Sequence, residues 1–422
     1  MRSRERTGCN CGGMRTADDQ DSEDSEASGF PHFKYDSQVG DAQKLTPYEQ
    51  IAFARDAFAN ADDLTVAVEE EFQLLDPETL ELTGRFEELK EAVAGSELDE
   101  HLVGELISSE IEVKTGRCET FAEAAERMGE RRAQLGTLAD AYGVALACTG
   151  THPWSRWQDQ HIIDTPHYRR NDEILRYVVW RNNSFGIHVH VAVRGPDRAV
   201  AVCNAFRNVL PELLAFSASS PFVEDVVTGL HSARTEIFTR MFPRCGVPDA
   251  YDGWDGFEHY VRFLYDTDSI DDHTQMWWSV RPHLAFPTVE IRICDAQPDL
   301  RDARSLAALI HALGVRFARA VDEGEPLPSL PHRLIEENMW RAIRTGLSGG
   351  LIDFERGEVV PARARIDQLL EWVRPVAGEI GAAPFLDVPR ANSAERQYAR
   401  LAELGSHREV FTELVRVPER VA

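Results

Sequence analysis

Lysine is nearly missing from this chain. Only Lys34, Lys44, Lys90 and Lys114 occur in 422 residues, so the basic side chains are almost all arginine. A guanidinium offers a planar fork of donors suited to carboxylate and phosphate, which the point charge of a lysine does not. Positive charge is itself scarce, and the formal net charge is −26. Nucleic acid and anionic lipid repel so acidic a chain, which removes both from the expected partners. Long apolar runs are absent too. No stretch approaches the roughly 20 residues a membrane span needs, and the opening MRSRERTGCNCGG is basic without the apolar segment of a secretory signal. The seven cysteines are odd in number and lack framework spacing, as in a reducing compartment. Cys9 and Cys11 form a lone C-x-C, a weak metal signal without a second pair. A cytoplasmic protein is expected. There is no G-x-x-x-x-G-K-[ST] loop, so any nucleotide is held without one.

What is present is enough apolar sequence, 43% of residues, to build a sizeable core. Residues 1–45, with DDQDSEDSEAS at their centre, are polar and aperiodic and are expected to be a disordered acidic tail. Residues 46–422 show no linker and no repeat, and are expected to form one domain. A helix is expected over about 46–60, and apolar spacing predicts further helices at 198–219 and 302–323. The C-terminal third reads as helices at about 332–346, 363–381 and 393–417.

The strands carry the chemistry. In VAVEEEFQLLD, beginning at Val66, alternate side chains point to opposite sides. Val66, Val68, Phe72 and Leu74 share one side with Glu70. Glu69, Glu71 and Gln73 share the other. Glu70 on the apolar side calls for a helix-facing ion pair. The same alternation recurs in SFGIHVHVAV, where His188 and His190 oppose Ile187, Val189 and Val191, and in PTVEIRIC, where Glu290 and Arg292 oppose Val289, Ile291 and Ile293. In ISSEIEVKT, Glu110, Glu112 and Lys114 oppose Ile111 and Val113. Four strands of this kind predict an α+β fold: an antiparallel sheet with its apolar face against helices and its polar face left for function. Glutamates and a histidine gathered on one surface are hard ligands suited to Mg²⁺ or Mn²⁺. A phosphorylated ligand could enter so acidic a site only with a divalent ion and an arginine such as Arg292. His190 alone reads more readily as a core or supporting histidine than as a ligand.

VAVEEEFQLLDPET, ELISSEIEVKTGRC, GTHPW, FGIHVHVAV, SASSPF, SARTEIF and WWSVRPHLAFPTVEIRICD follow one another in this order. Together, from about Thr65 to about Glu413, they resemble the type 2 glutamate–cysteine ligase family, the carboxylate-amine ligases. The resemblance implies a curved, glutamine-synthetase-like antiparallel catalytic sheet and an ATP-dependent reaction. In that reaction the side-chain carboxylate of glutamate becomes a γ-glutamyl phosphate and an amine, cysteine in the founding members, captures it with release of ADP and phosphate. Carried over position by position, it implies metal ligation by Glu69, Glu71, Glu105, Glu112, Glu290 and His188. Arg292, Arg281 and His188 would act on the transferring phosphate, and Arg234 and Thr115 would bind substrate. Glu105 lies seven residues before Glu112, so a bend or loop is expected before Ser108. The sequence is compatible with a homo-oligomer. Three readings follow: a γ-glutamyl ligase using cysteine or a different amine, a phosphotransferase on the same sheet, and a non-catalytic nucleotide- or metal-binding regulator. The intact set of acids, histidine and arginine argues against the last.

Overall fold

The computed structural model describes residues 45–416; the acidic N-terminal stretch and the Cys9–Cys11 pair fall outside them. The first helix, α1 (Pro47–Ala59), starts at Thr46, whose side chain and that of Glu49 form a reciprocal cap, with Pro47 preset for the first turn.

A seven-stranded antiparallel sheet follows: β1 (Val66–Leu75), β2 (Leu102–Val103), β3 (Glu110–Lys114), β4 (Ala145–Ala147), β5 (Ile187–Ala192), β8 (Val280–Pro282) and β9 (Thr288–Ile291). The intervening β6 (Phe222–Val223) and β7 (Val226–Val227) form a separate hairpin. The sheet order is β2-β3-β1-β5-β9-β8, and β4 pairs with the end of β1. Register decides which side chains meet. Glu69 pairs with Lys114 on one side and with His188 on the other, Glu71 with Glu112, Gln73 with Glu110, His190 with Glu290, and Arg281 with Glu290. Paired residues project to the same face, so these polar side chains form one surface, as the alternation predicts.

The opposite face is core. Val66, Val68, Ile187, Val189, Val191, Val289 and Ile291 are buried, each contributing roughly 1.5–3 kcal/mol by leaving water. Two long helices cover it. α2 (Phe121–Tyr142) is capped by Thr120 and ended by left-handed Gly143, and packs Leu135 and Ala139 under the β1–β3 half. The later helix Leu300–Glu323 crosses under β5. Its Gly314 permits that approach, because a Cβ there would stand 2.8 Å from Val191 Cγ1.

Three elements differ from the sequence expectation. The helix expected over 198–219 is two helices, α3 (Pro196–Arg207) and α4 (Leu210–Ser217), bent by 59°. Pro211 has no N–H to give the carbonyl of Arg207, so the turn breaks there. The pair is buried, and among the described residues no single helix is long and apolar enough to cross a membrane. The helix expected over 393–417 is Ser393–Leu404 and His407–Thr412, separated by Gly405 at φ 77° and recapped by Ser406. The strand expected from Ile107 starts at Glu110, after a turn at Ser108 and Ser109 that supplies the bend required to bring Glu105 round.

Candidate active site

The polar face gathers its charges through the sheet register. Glu69 sits at the centre. Lys114 Nζ lies 3.0 Å from its Oε1, while His188 Nδ1 and His190 Nε2 lie 3.5 and 3.4 Å from its Oε2. Burial works to raise the Glu69 carboxyl, but Lys114 and the two histidines outweigh it and hold it well below the usual carboxylate range. Lys114 also reaches Glu112 Oε1 at 2.9 Å. Glu290 is gripped by Arg281 Nε at 2.6 Å on Oε2 and by Arg292 on Oε1. Burial again works to raise it, and the two guanidiniums hold it well below its ordinary value.

In other acids of this face burial and like charge outweigh any nearby cation. Burial, then the charge of Glu69, pushes Glu112 well above the carboxylate range. Burial and Glu71 do the same to Glu110, and push Glu105 up to about 7. Carboxylates that repel one another in this way accommodate added positive charge.

Two sets of three side chains can place ligand atoms within 4.8 Å of one another: Glu69, His190 and Glu290, and Glu69, Glu112 and His188. The first carries a specific sign of fit. His190 Nδ1 is tied to Thr288 Oγ1 at 2.9 Å. Its buried Nε2 has no hydrogen-bond partner among the described residues and faces Glu69 Oε2 at 3.4 Å and Glu290 Oε1 at 3.9 Å. An imidazole nitrogen set between two carboxylate oxygens, free to be deprotonated, is a donor set that fits a hard divalent cation. Of the sequence-predicted ligands, Glu69, Glu112, Glu290 and His188 therefore belong to these sets. Glu71 stands beside them, one oxygen 3.5 Å from His188 Nε2 and the other accepting the Gly186 N–H. Glu105 flanks the cluster on the loop before β3.

His190 reads from sequence as a supporting residue, and the structure places its Nε2 beside Glu69 and Glu290. The alternation put it on the correct face, but only the pairing with Glu290 and Ala67 sets it between two acids. Thr115 is different. Its hydroxyl accepts from the Val68 N–H and donates to the Gly116 carbonyl, each bond within the main-chain scaffold. The structure gives it a role in pinning β3 to β1.

Arg234 lies apart from the histidines. Its Nη1 donates to the Ile293 carbonyl at 3.1 Å and its Nη2 to the Arg292 carbonyl at 3.3 Å, while its buried Nε has no hydrogen-bond partner among the described residues. Gly186 makes the room, since a Cβ there would stand 2.3 Å from Arg234 Nη2. Behind it is Asp295, a fully buried carboxylate that sequence reasoning passed over. Asp295 accepts from the Ser219 N–H at 2.8 Å, Ser220 Oγ at 2.7 Å and Ser232 Oγ at 2.9 Å, and lies 3.7 Å from Arg234 Nη1. Gly150 clears the space for it. The motifs GTHPW, SASSPF, SARTEIF and RICD thus converge on one carboxylate, and their repeated Ser and Gly were the available signal.

Beside Glu69 and His190 opens a cavity of about 540 Å³, lined by Ala67, Val68, Ala192, Phe286 and Pro287 together with Lys114. The Phe286 ring is stacked on His283, with centroids 4.9 Å apart. An apolar cavity of this size with charged groups on its wall suits a small ligand bearing both an aromatic ring and charge.

The chain is similar to known proteins over most of its length. The family model described as glutamate-cysteine ligase family 2 (GCS2) matches residues 65–405. A protein of Sorangium cellulosum named "Putative glutamate--cysteine ligase 2" is 40% identical over 360 residues, covering 83% of this chain and 95% of that one. A protein of the same name from Solibacter usitatus is 36% identical over 361 residues, covering 84% and 94%. Among solved structures, the glutamate–cysteine ligase of Francisella tularensis in complex with AMP superposes with a TM-score of 0.60 at 14% identity, over 83% of this chain and 87% of that one. The bifunctional glutathione synthetase of Pasteurella multocida gives 0.57 at 13% identity, over 87% and 53%. At such identities these two matches speak for the fold. The family match, over most of the described chain, settles the rest: this chain belongs to glutamate–cysteine ligase family 2 and is a carboxylate–amine ligase.

Proposed function

We propose that the chain joins the side-chain carboxylate of glutamate to the amino group of cysteine at the expense of ATP, forming γ-glutamylcysteine. The observation that carries this reading is the cavity that ends on Glu69 and His190: a space of nucleoside size, walled by the braced Phe286 ring, opens onto a candidate divalent-cation site. In this reading ATP puts its base against Phe286 and its phosphates toward Glu69, His190 and Glu290. A bound Mg²⁺ or Mn²⁺ supplies charge neutralisation and orientation of the phosphates. Arg292, whose Nε has no hydrogen-bond partner among the described residues, turns from Glu290 toward the γ-phosphoryl group, and Arg281 holds Glu290 in place. Arg234 binds a carboxylate of the substrate glutamate.

A γ-carboxylate oxygen of glutamate then attacks the γ-phosphorus, the bond to the β-phosphate oxygen breaks, and ADP leaves. The amine nitrogen attacks the acyl carbon, the C–O bond to phosphate breaks, and the amine proton passes to a nearby base. Glu105, pushed up to about 7, is near enough to neutral pH for its deprotonated form to accept it. The family match and the unpaired state of the described cysteines support a cytoplasmic setting in which free cysteine is available.

The test is ADP release by the full chain with ATP, Mg²⁺ and glutamate, run against each of the twenty amino acids and several simple amines. Cysteine-dependent turnover with γ-glutamylcysteine identified by mass is the expected result. Turnover with another amine would keep the ligase and change its acceptor. A stable phosphorylated product without an amide would favour a phosphotransferase.

A further inference from the structure

We propose that Glu110 and Gln73 hold the α-ammonium of the substrate glutamate, so that this site selects an α-amino acid and keeps its nitrogen from attacking its own activated side chain. The inference rests on the ligase reading above and names what binds the end of the substrate remote from ATP.

Gln73 and Glu110 belong to neither candidate cation set. They pair across β1 and β3, two residues beyond the Glu71–Glu112 pair and toward β4. Gln73 is fully buried. Its Nε2 donates to the Thr149 carbonyl at 2.9 Å and to Thr149 Oγ1 at 3.0 Å. That hydroxyl gives its own proton to the Thr151 carbonyl at 3.0 Å. Both partners at Thr149 therefore accept, which fixes the orientation of the amide. Gln73 Oε1 is left buried, with no hydrogen-bond partner among the described residues. Glu110 is buried beside it, and among the described residues no donor hydrogen-bonds to its carboxyl. Two neighbouring buried acceptors without a donor fit a ligand group that brings several N–H bonds and a positive charge, as an ammonium does.

Arg234 supplies the opposite half. Its guanidinium lies against Gly186, which the Glu71 N–H reaches at 3.1 Å through the Gly186 carbonyl. It is close enough for its charge to act on Glu110. A buried donor without an acceptor and two buried acceptors without a donor thus stand one step apart on the sheet, about 7 Å along a strand. An α-amino acid joins them, because its carboxylate and its ammonium leave the same carbon. From there the glutamate side chain runs along β1 toward Glu69 and Arg292.

This hold has a chemical consequence. Once the side chain is a γ-glutamyl phosphate, an unprotonated α-nitrogen can attack the γ-acyl carbon. The C–O bond to phosphate breaks, a nitrogen proton leaves to water, and a five-membered lactam and phosphate form without capture of the second substrate. An α-nitrogen held as ammonium has no lone pair for that attack.

The test uses the full chain with ATP and Mg²⁺, hydroxylamine as the capturing amine, and either glutamate or glutarate, which lacks the α-amino group. Wild type is expected to form the hydroxamate of glutamate with a kcat/KM at least about 10²-fold above that for glutarate. Glu110→Gln keeps the size of the side chain and loses its charge. It should raise the KM for glutamate about tenfold or more, change the glutarate value far less, and raise the share of lactam per phosphate released. Gln73→Met should move the glutamate-to-glutarate ratio in the same direction. Equal kcat/KM for the two acids in wild type, a result that needs no variant, would overturn the proposal. So would equal losses for both acids in Glu110→Gln, which is what a packing role gives. In either case the hydroxamate formed by wild type keeps the ligase reading. No hydroxamate from glutamate in wild type would overturn that reading and this inference with it.

Discussion

Glu70 Oε1 lies 2.6 Å from Arg132 Nη2 on the helix-covered face of the sheet, while its neighbours Glu69 and Glu71 project from the opposite face. Arg132 further donates to the Gln297 and Pro298 carbonyls, and so ties α2 to the segment that leads out of the catalytic sheet. Removing one partner of a buried pair leaves the other charge uncompensated, at a cost of about 3–5 kcal/mol. Arg132→Met is expected to lower the denaturant midpoint accordingly and to leave Mn²⁺ affinity of the folded protein unchanged. A midpoint equal to wild type would show that the pair contributes nothing.

Glu290 stands between two arginines and one histidine. Glu290→Gln removes the charge that would hold a cation and also leaves Arg281 and Arg292 with less compensation. We expect kcat at saturating Mg²⁺ to fall on the order of 10²-fold or more, together with a measurable drop in Tm. An unchanged kcat would remove Glu290 from the site.

Asp295 is expected to act through Arg234. Asp295→Asn keeps the size of the side chain and loses its charge. The KM for glutamate should rise about tenfold, or about 1.4 kcal/mol, with the KM for ATP steady. Equal shifts in both constants would point to a general disturbance of the fold and contradict the positioning role.

His152 of the GTHPW motif is fully buried, with Nε2 on the Leu80 carbonyl at 2.8 Å and Nδ1 accepting from the Ser155 N–H at 2.8 Å. Burial pushes its pKa down to about 3. The unfolded chain takes up a proton near pH 6.5 and the folded chain does not. Its contribution to stability is therefore complete above about pH 6.5 and is lost as pH falls, by about 1.4 kcal/mol per unit until about pH 3. His152→Gln should be less stable than wild type at pH 8 and show a shallower loss between pH 6 and pH 4. Parallel pH profiles would contradict this.

Much of the site was legible because a strand's period of two fixes which side chains share a face. That is how Glu69, Glu71, Glu112, His188, His190, Glu290 and Arg292 could be grouped, and why Glu70 called for a partner in a helix. The same period says nothing about register, which comes from pairing between strands far apart in sequence. Lys114 opposite Glu69, and His190 opposite Glu290, were out of reach for that reason. Asp295 was hidden because its partners, Ser219, Ser220, Ser232 and Arg234, lie on loops and helix starts with no period at all. Helical spacing also carried the prediction across Pro211, where a single missing N–H breaks the helix.

The central claim is that glutamate is activated as an acyl phosphate on this sheet. It is tested most directly with glutamate labelled with ¹⁸O in its γ-carboxylate, turned over with ATP, Mg²⁺ and cysteine. The account predicts that one labelled oxygen passes to each inorganic phosphate released, with ADP unlabelled. Phosphate free of label, or label recovered in AMP, would contradict it.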